Sequence, residues 1–132
     1  PPHHYEYQIS ISANGAGRLR FIPDYPSHDV PVWEEQFQVP LSRRVYLHTL
    51  LREANLLPPP PNRDDDSPVG GASLHLSATS QGEQADLSAH RLPSEAADRL
   101  RDIHKALRDT VPQHVWNLCT QRREAYIAAR YE

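Results

Sequence analysis

Apolar side chains at every second position line one side of a strand but scatter around a helix. Two stretches of this chain follow that period, and a helical pattern comes after each. In the first, Tyr5, Tyr7, Ile9, Ile11 and Ala13 share one side, with Glu6, Gln8, Ser10 and Ser12 on the other. In the second, Leu74, Leu76 and Ala78 are answered by Ala85, Leu87 and Ala89, while His75, Ser77, Asp86, Ser88 and His90 point the other way. Both stretches predict half-buried hairpins.

The first hairpin joins 5–13 to 18–22 through Asn14-Gly15-Ala16-Gly17, residue types that tolerate the positive φ of tight turns. Leu19 and Phe21 keep the apolar parity across that turn. After a loop punctuated by Pro23, Pro26 and Pro31, a strand is expected at 32–39, with Trp33, Phe37 and Val39 on one side. Pro40 ends it, because proline donates no ladder hydrogen bond. Ser42 reads as the N-cap of a helix to about Asn55, whose Leu47, Leu50, Leu51 and Ala54 form one stripe.

Residues 58–68, four prolines followed by Asn-Arg-Asp-Asp-Asp-Ser-Pro, read as a stiff, solvated surface loop inside a single domain of 1–132. The second hairpin spans about 70–90 and has two registers. A Gln81-Gly82 turn sets His75 against Ser88; a Gly82-Glu83 turn sets it against His90. A helix from Ser94 to about Asp109 carries Ala96, Leu100, Ile103 and Leu107 on one face. Pro112 opens a last helix bearing Val115, Trp116, Cys119, Tyr126 and Ile127. The expected fold is α+β: an antiparallel sheet of two hairpins and one extra strand, with about three helices on one face, in the order β-β-β-α-β-β-α-α.

Composition narrows the function more than it identifies it. No run approaches the roughly 18 apolar residues of a membrane span, and no secretory signal is visible. Net charge is −3, divided as −1 over residues 1–57, −4 over 58–90 and +2 over 91–132. Acids interleave with the arginines, so no dense basic face for nucleic acid is expected. The chain has one cysteine, Cys119, and can form no internal disulfide. A cytoplasmic location is the expectation; Met is absent, which a trimmed precursor or an excised fragment would also give.

Candidate chemistry thins out on inspection. The chain has eight histidines but no His-x-x-x-His or Cys-x-x-Cys spacing. The best-placed metal pair is His75 with His90, with Asp86 nearby, and solvated histidines on a polar face explain them as well. Asn62, Asp64 and Asp66 start like a calcium loop, but Ser67 and Ser73 stand where Gly and Glu are needed. Gly15-x-Gly17 sits in a turn with no helix behind it and cradles no phosphate. Cys119, beside Val115 on its helix, reads as a buried thiol, and no serine elbow is present. Glu35 shares parity with Trp33 and Phe37, so its carboxyl points toward the apolar side. It is a raised-pKa acid there, the partner of an arginine such as Arg43 or Arg44, or a side chain at a frayed strand end with sheet contact beginning only near Phe37. No cofactor and no catalytic residue is assigned.

Trp116, Arg122, Arg123, Tyr126 and Arg130 share the last helix and belong to the residue types enriched at protein interfaces. They are the candidate interaction residues; a helix packed on the core through its aromatics is the plainer account of them. The order of elements over residues 7–110 resembles the emfourin group, small bacterial α+β inhibitors of thermolysin-type proteases. That resemblance is architectural and carries no residue over, since Asn14-Gly15-Ala16-Gly17 departs from the family's glycine-rich, aromatic turn. The expectation is a non-enzymatic interaction module with a protein partner: an accessory subunit, adaptor or inhibitor. The alternatives are a small enzyme with a site around Glu35 and the histidines, and a homodimeric ligand-sensing domain, pairing through strand 32–39.

Overall fold

The computed structural model describes residues 4–56, 75–80, 83–88 and 92–131, and for the second hairpin the backbone pairing. The elements are β1 (Glu6–Ile11), β2 (Ala16–Ile22), β3 (Trp33–Gln38), α1 (Leu41–Glu53), β4 (His75–Ser80), β5 (Glu83–Ser88), α2 (Ser94–Thr110) and α3 (Gln113–Tyr131). The α+β class and the element order follow the alternation in the sequence. Strands β1-β2-β3 form one antiparallel sheet in that order, and β4-β5 form a two-stranded ladder of their own. Residues 1–44 with 108–132 make one compact unit, and residues 45–107 make a second.

In the first unit the register sets Tyr7 beside Phe21 and Trp33, Ile9 beside Leu19 and Glu35, and Ile11 beside Gly17 and Phe37. These rows share one face because neighbours in register point the same way. Leu19, Phe21, Phe37 and Val39 are buried there with Val111, Val115 and Cys119. Each fully buried large side chain contributes roughly 1.5–3 kcal/mol. Helix α3 is therefore part of this core, and its Trp116 packs against it. The intervening rows, Gln8-Arg20-Glu34 and Ser10-Arg18-Gln36, are polar.

The turn between β1 and β2 depends on Gly15. Its φ is +93°, and an added Cβ would lie 2.9 Å from the Val39 carbonyl oxygen. The Gly15 carbonyl accepts from the Val39 N–H at 2.8 Å, which ties the turn to the end of β3.

In the second unit, Leu51, Ala54, Leu56, Leu92, Ala96, Ala97, Leu100 and Ile103 form the core, with Leu50 and Leu107 at its margin. Helix α1 ends by a Schellman pattern. Asn55 has φ +58°. The Leu56 N–H reaches the Leu51 carbonyl at 3.0 Å, and the Asn55 N–H reaches Arg52 at 3.1 Å. Arg99 Nε donates to the Ala54 carbonyl at 2.8 Å, satisfying another orphan acceptor of that last turn.

Helix α2 starts at Ser94 as expected, while the cap of α1 lies two residues earlier than expected. Pro40, not Ser42, holds the N-cap of α1, accepting from Arg43 and Arg44 N–H at 3.0 and 3.1 Å. Pro93 and Pro112 do the same for α2 and α3, accepting from Ala97 at 2.9 Å and from Val115 at 3.0 Å. A proline suits that position because the N-cap residue uses its carbonyl in the helix and its own N–H is not needed.

In the second hairpin, Ser80 pairs with Glu83. His75 therefore stands opposite Ser88, and Leu76 opposite Leu87. Segment 58–68, with Asn62, Asp64 and Asp66, and residues Leu74, Ala89 and His90 lie outside the described residues.

Candidate functional site

The register that builds the apolar face also gathers aromatic rings along one margin of it. Phe21 lies between Tyr5 and Trp33, with ring centroids at 5.5 and 6.0 Å and planes within 11° and 14° of parallel. Tyr7 stands 6.3 Å from Tyr5 and meets Trp116 edge-on at 5.1 Å. Phe21 is buried, while Tyr7, Trp33 and Trp116 are half-buried and Tyr5 is 42% exposed. The rings thus form a continuous surface anchored in the core at its centre.

Two guanidiniums border the rings. Arg108 sits 5.6 Å from the Tyr7 centroid and 5.2 Å from that of Trp116. Arg123 sits 5.0 Å from the Tyr5 centroid. Trp116 Nε1 donates to the Arg108 carbonyl at 2.9 Å, so indole and backbone are fixed together. Cation–π contacts of this kind contribute roughly 0.5–2 kcal/mol, more as water is excluded. Burial pushes the Tyr7 hydroxyl pKa up, with Arg108 working against it.

The other arginines and tyrosine named on α3 have separate engagements. Arg122 Nη1 donates to Glu35 Oε1 at 2.7 Å. Glu35 does point to the apolar side and is 27% exposed, but its partner comes from α3. Arg43 and Arg44 go elsewhere, Arg43 to Thr110 Oγ1 at 2.8 Å and Arg44 to the Val39 carbonyl at 3.2 Å. Cys119 is buried close to this pair, and burial raises its thiol pKa. A thiol held protonated is a poor nucleophile.

Tyr126 and Arg130 belong to a clasp at the end of α3. Asp24, buried, accepts from the Tyr126 hydroxyl at 3.1 Å, from the Tyr131 hydroxyl, and from the Tyr25 N–H at 2.7 Å. Arg130 reaches Asp29 at 3.2 Å and Asp24 at 4.0 Å. His4 stacks on Tyr25 at 3.8 Å.

The Tyr131 hydroxyl, followed by the Tyr25 N–H, holds the Asp24 carboxyl below the usual range, against the opposing effect of burial. The Ser27 hydroxyl and Arg130 depress Asp29 likewise. The same hydrogen bond raises Tyr131. A depressed carboxylate stabilises the fold above its unfolded pKa, near 3.9, and loses that contribution as pH falls through the lower folded value. A raised phenol does so below about pH 10 and loses it as pH rises further. Asp24→Asn is therefore expected to lower the melting temperature at pH 7. Its melting temperature should also fall less than the parent's between pH 5 and 2, and parallel curves would contradict the clasp.

Among the described residues, no group of three or more His, Cys, Asp or Glu side chains converges as a metal site would. No helix among them is long and apolar enough to cross a membrane. Of the five residues expected on α3, the ring surface brings together Trp116 and Arg123; Arg122, Tyr126 and Arg130 lie in the two polar contacts. Tyr5, Tyr7, Trp33 and Arg108 complete the surface and were not singled out from sequence. The parity of Tyr5, Tyr7 and Trp33 was a usable signal for three of them.

No protein-family model matches the chain, and no curated protein or solved structure is significantly similar to it.

Proposed function

We propose that this chain acts as a non-enzymatic protein-interaction module, serving as an adaptor, accessory subunit or inhibitor. The observation that supports this reading is the half-exposed ring surface of Tyr5, Tyr7, Trp33 and Trp116 bordered by Arg108 and Arg123. Tyr, Trp and Arg supply most hot-spot energy at protein interfaces. Here they are held rigidly, by the Phe21 stack and the Trp116–Arg108 hydrogen bond, so little side-chain entropy remains to be lost on binding. Three reactive groups among the described residues are engaged in the fold: Glu35 by Arg122, Asp24 by two phenols, and Cys119 by burial.

Photo-crosslinking tests this. A benzophenone amino acid replacing Tyr5 is expected to give an adduct of one defined mass in extract of the source organism. The same group replacing Asp102, exposed on α2, should give none above background. Equal labelling from both positions, or none from Tyr5, would remove the basis for the reading.

A further inference from the structure

We infer that the second half of α3, residues 120–131, is a latch: it docks through Asp24 on the loop after β2, and it opens as a unit while residues 113–119 stay in the core. The inference goes beyond the interaction reading above and does not depend on it.

The helix carries two kinds of attachment. Val115 and Cys119 are buried, and Trp116 packs against the same core. The side that holds Cys119 continues, at helical spacing, as Arg122, Tyr126 and Arg130. From 120 to 131 no side chain is buried. Polar contacts take over there. Arg122 reaches Glu35 at 2.7 Å, Arg130 reaches Asp29 at 3.2 Å, and the Tyr126 and Tyr131 hydroxyls donate to Asp24. Arg123 lies over the Tyr5 ring at 5.0 Å.

Asp24 is where these contacts converge. It receives Tyr126 from one turn of the helix and Arg130 with Tyr131 from the next. The loop that carries it is fixed: Pro23 is fully buried, Ile22 and Val30 are buried, and Tyr25 stacks on His4 at 3.8 Å. The helix is therefore the side that moves. A helical segment this short, with no buried side chain, is marginal by itself in water, so docking keeps it formed. Contacts that share one acceptor are also lost together when that acceptor is lost. Opening carries Arg122 off Glu35 and Arg123 off Tyr5, so the latch sets whether one border of the ring surface is in place.

Hydrogen exchange of the full chain at pH 7 reads the latch amide by amide. Each helical amide donates four residues back, so those of 124–131 bond within the latch and those of 117–119 within the core half. In the parent, 124–131 are expected to exchange more slowly than a free chain. Asp24→Asn should speed them about tenfold and leave 117–119 within twofold. The double variant Tyr126→Phe with Tyr131→Phe keeps both rings and removes only the hydroxyls. It should have the same selective effect, and it reads the latch even if Asp24→Asn does not fold.

Parent amides at 124–131 exchanging at the free-chain rate would overturn the inference, because that end would then never be docked. Equal acceleration of both sets would overturn it as well, by making α3 one cooperative unit. So would a folded variant that leaves 124–131 within twofold of the parent. A double variant that fails to fold would place the phenols in the core and overturn it too. The adduct from position 5 stands or falls separately from each of these results.

Discussion

Gly17→Val is expected to yield little folded first unit. A Cβ at position 17 would lie 2.4 Å from Phe37 Cε2, with two further ring carbons at 2.7 and 2.8 Å. The Phe37 ring lies over that position because Gly17 and Phe37 are register partners on the buried face. Its φ falls outside the left-handed region, so the penalty is steric, not conformational. Even Gly17→Ala should cost about 1–3 kcal/mol, as overpacked core sites do. Valine, with two more carbons against the same ring, should cost more. That is a large part of the roughly 5–15 kcal/mol that holds an ordinary domain together.

The cause can be isolated by a double-mutant cycle. Phe37→Leu removes ring atoms at a cost of its own. Combined with Gly17→Ala, it should cost clearly less than the sum of the two single changes. Urea titrations read by tryptophan emission report directly on this unit, since both indoles pack against its core. A Gly17→Ala protein within about 0.5 kcal/mol of the parent would mean that Phe37 does not lie over Gly17. The β2–β3 register would then be wrong.

Leu100→Ala carries the second large effect and acts on the other unit. Leu100 is 0% exposed at the centre of the cluster formed with Leu51, Leu56, Leu92 and Ile103. Truncating it removes buried methyls and leaves a cavity. The expected loss is about 2–5 kcal/mol, its place in that range set by how far the surrounding leucines can collapse. Lys105→Ala, exposed on the same helix, keeps helix propensity and should stay within about 0.5 kcal/mol. Denaturation followed by circular dichroism checks both, because α2 supplies much of the helical signal. Equal stability of the two variants would contradict the burial of Leu100.

Several features were readable because their cause is local. Alternation along residues 5–13 and 18–22 marks strands, since strand geometry sends successive side chains to opposite faces. The same parity pointed Glu35 toward the apolar side, where it lies. Leu47, Leu51 and Ala54 declared their stripe, as did Ala96, Leu100 and Ile103. Cys119 was legible as a buried thiol from its helical neighbour Val115.

Other features have causes distant in sequence. Glu35 is neutralised by Arg122, 87 residues away, and nothing near either residue announces the pairing. The nearer Arg43 and Arg44 were plausible candidates, and the first turn of α1 commits them to Thr110 and Val39. Asp24 belongs to no periodic segment, yet it collects the hydroxyls of Tyr126 and Tyr131. The five α3 residues were selected by type, and type alone could not separate those facing the rings from those closing polar contacts.

The amino-acid order by itself determined which segments are strands and helices and, for β1 to β3 and the helices, which side is oily, because those depend on repeats of 2 and 3.6 residues. The three-dimensional fold alone decided which rings meet, which arginine serves which carboxylate, and which cations border an exposed aromatic surface. Those outcomes depend on strand register and on where α3 lies across the sheet. Both are set by many distant contacts acting together, which no short window of residues contains.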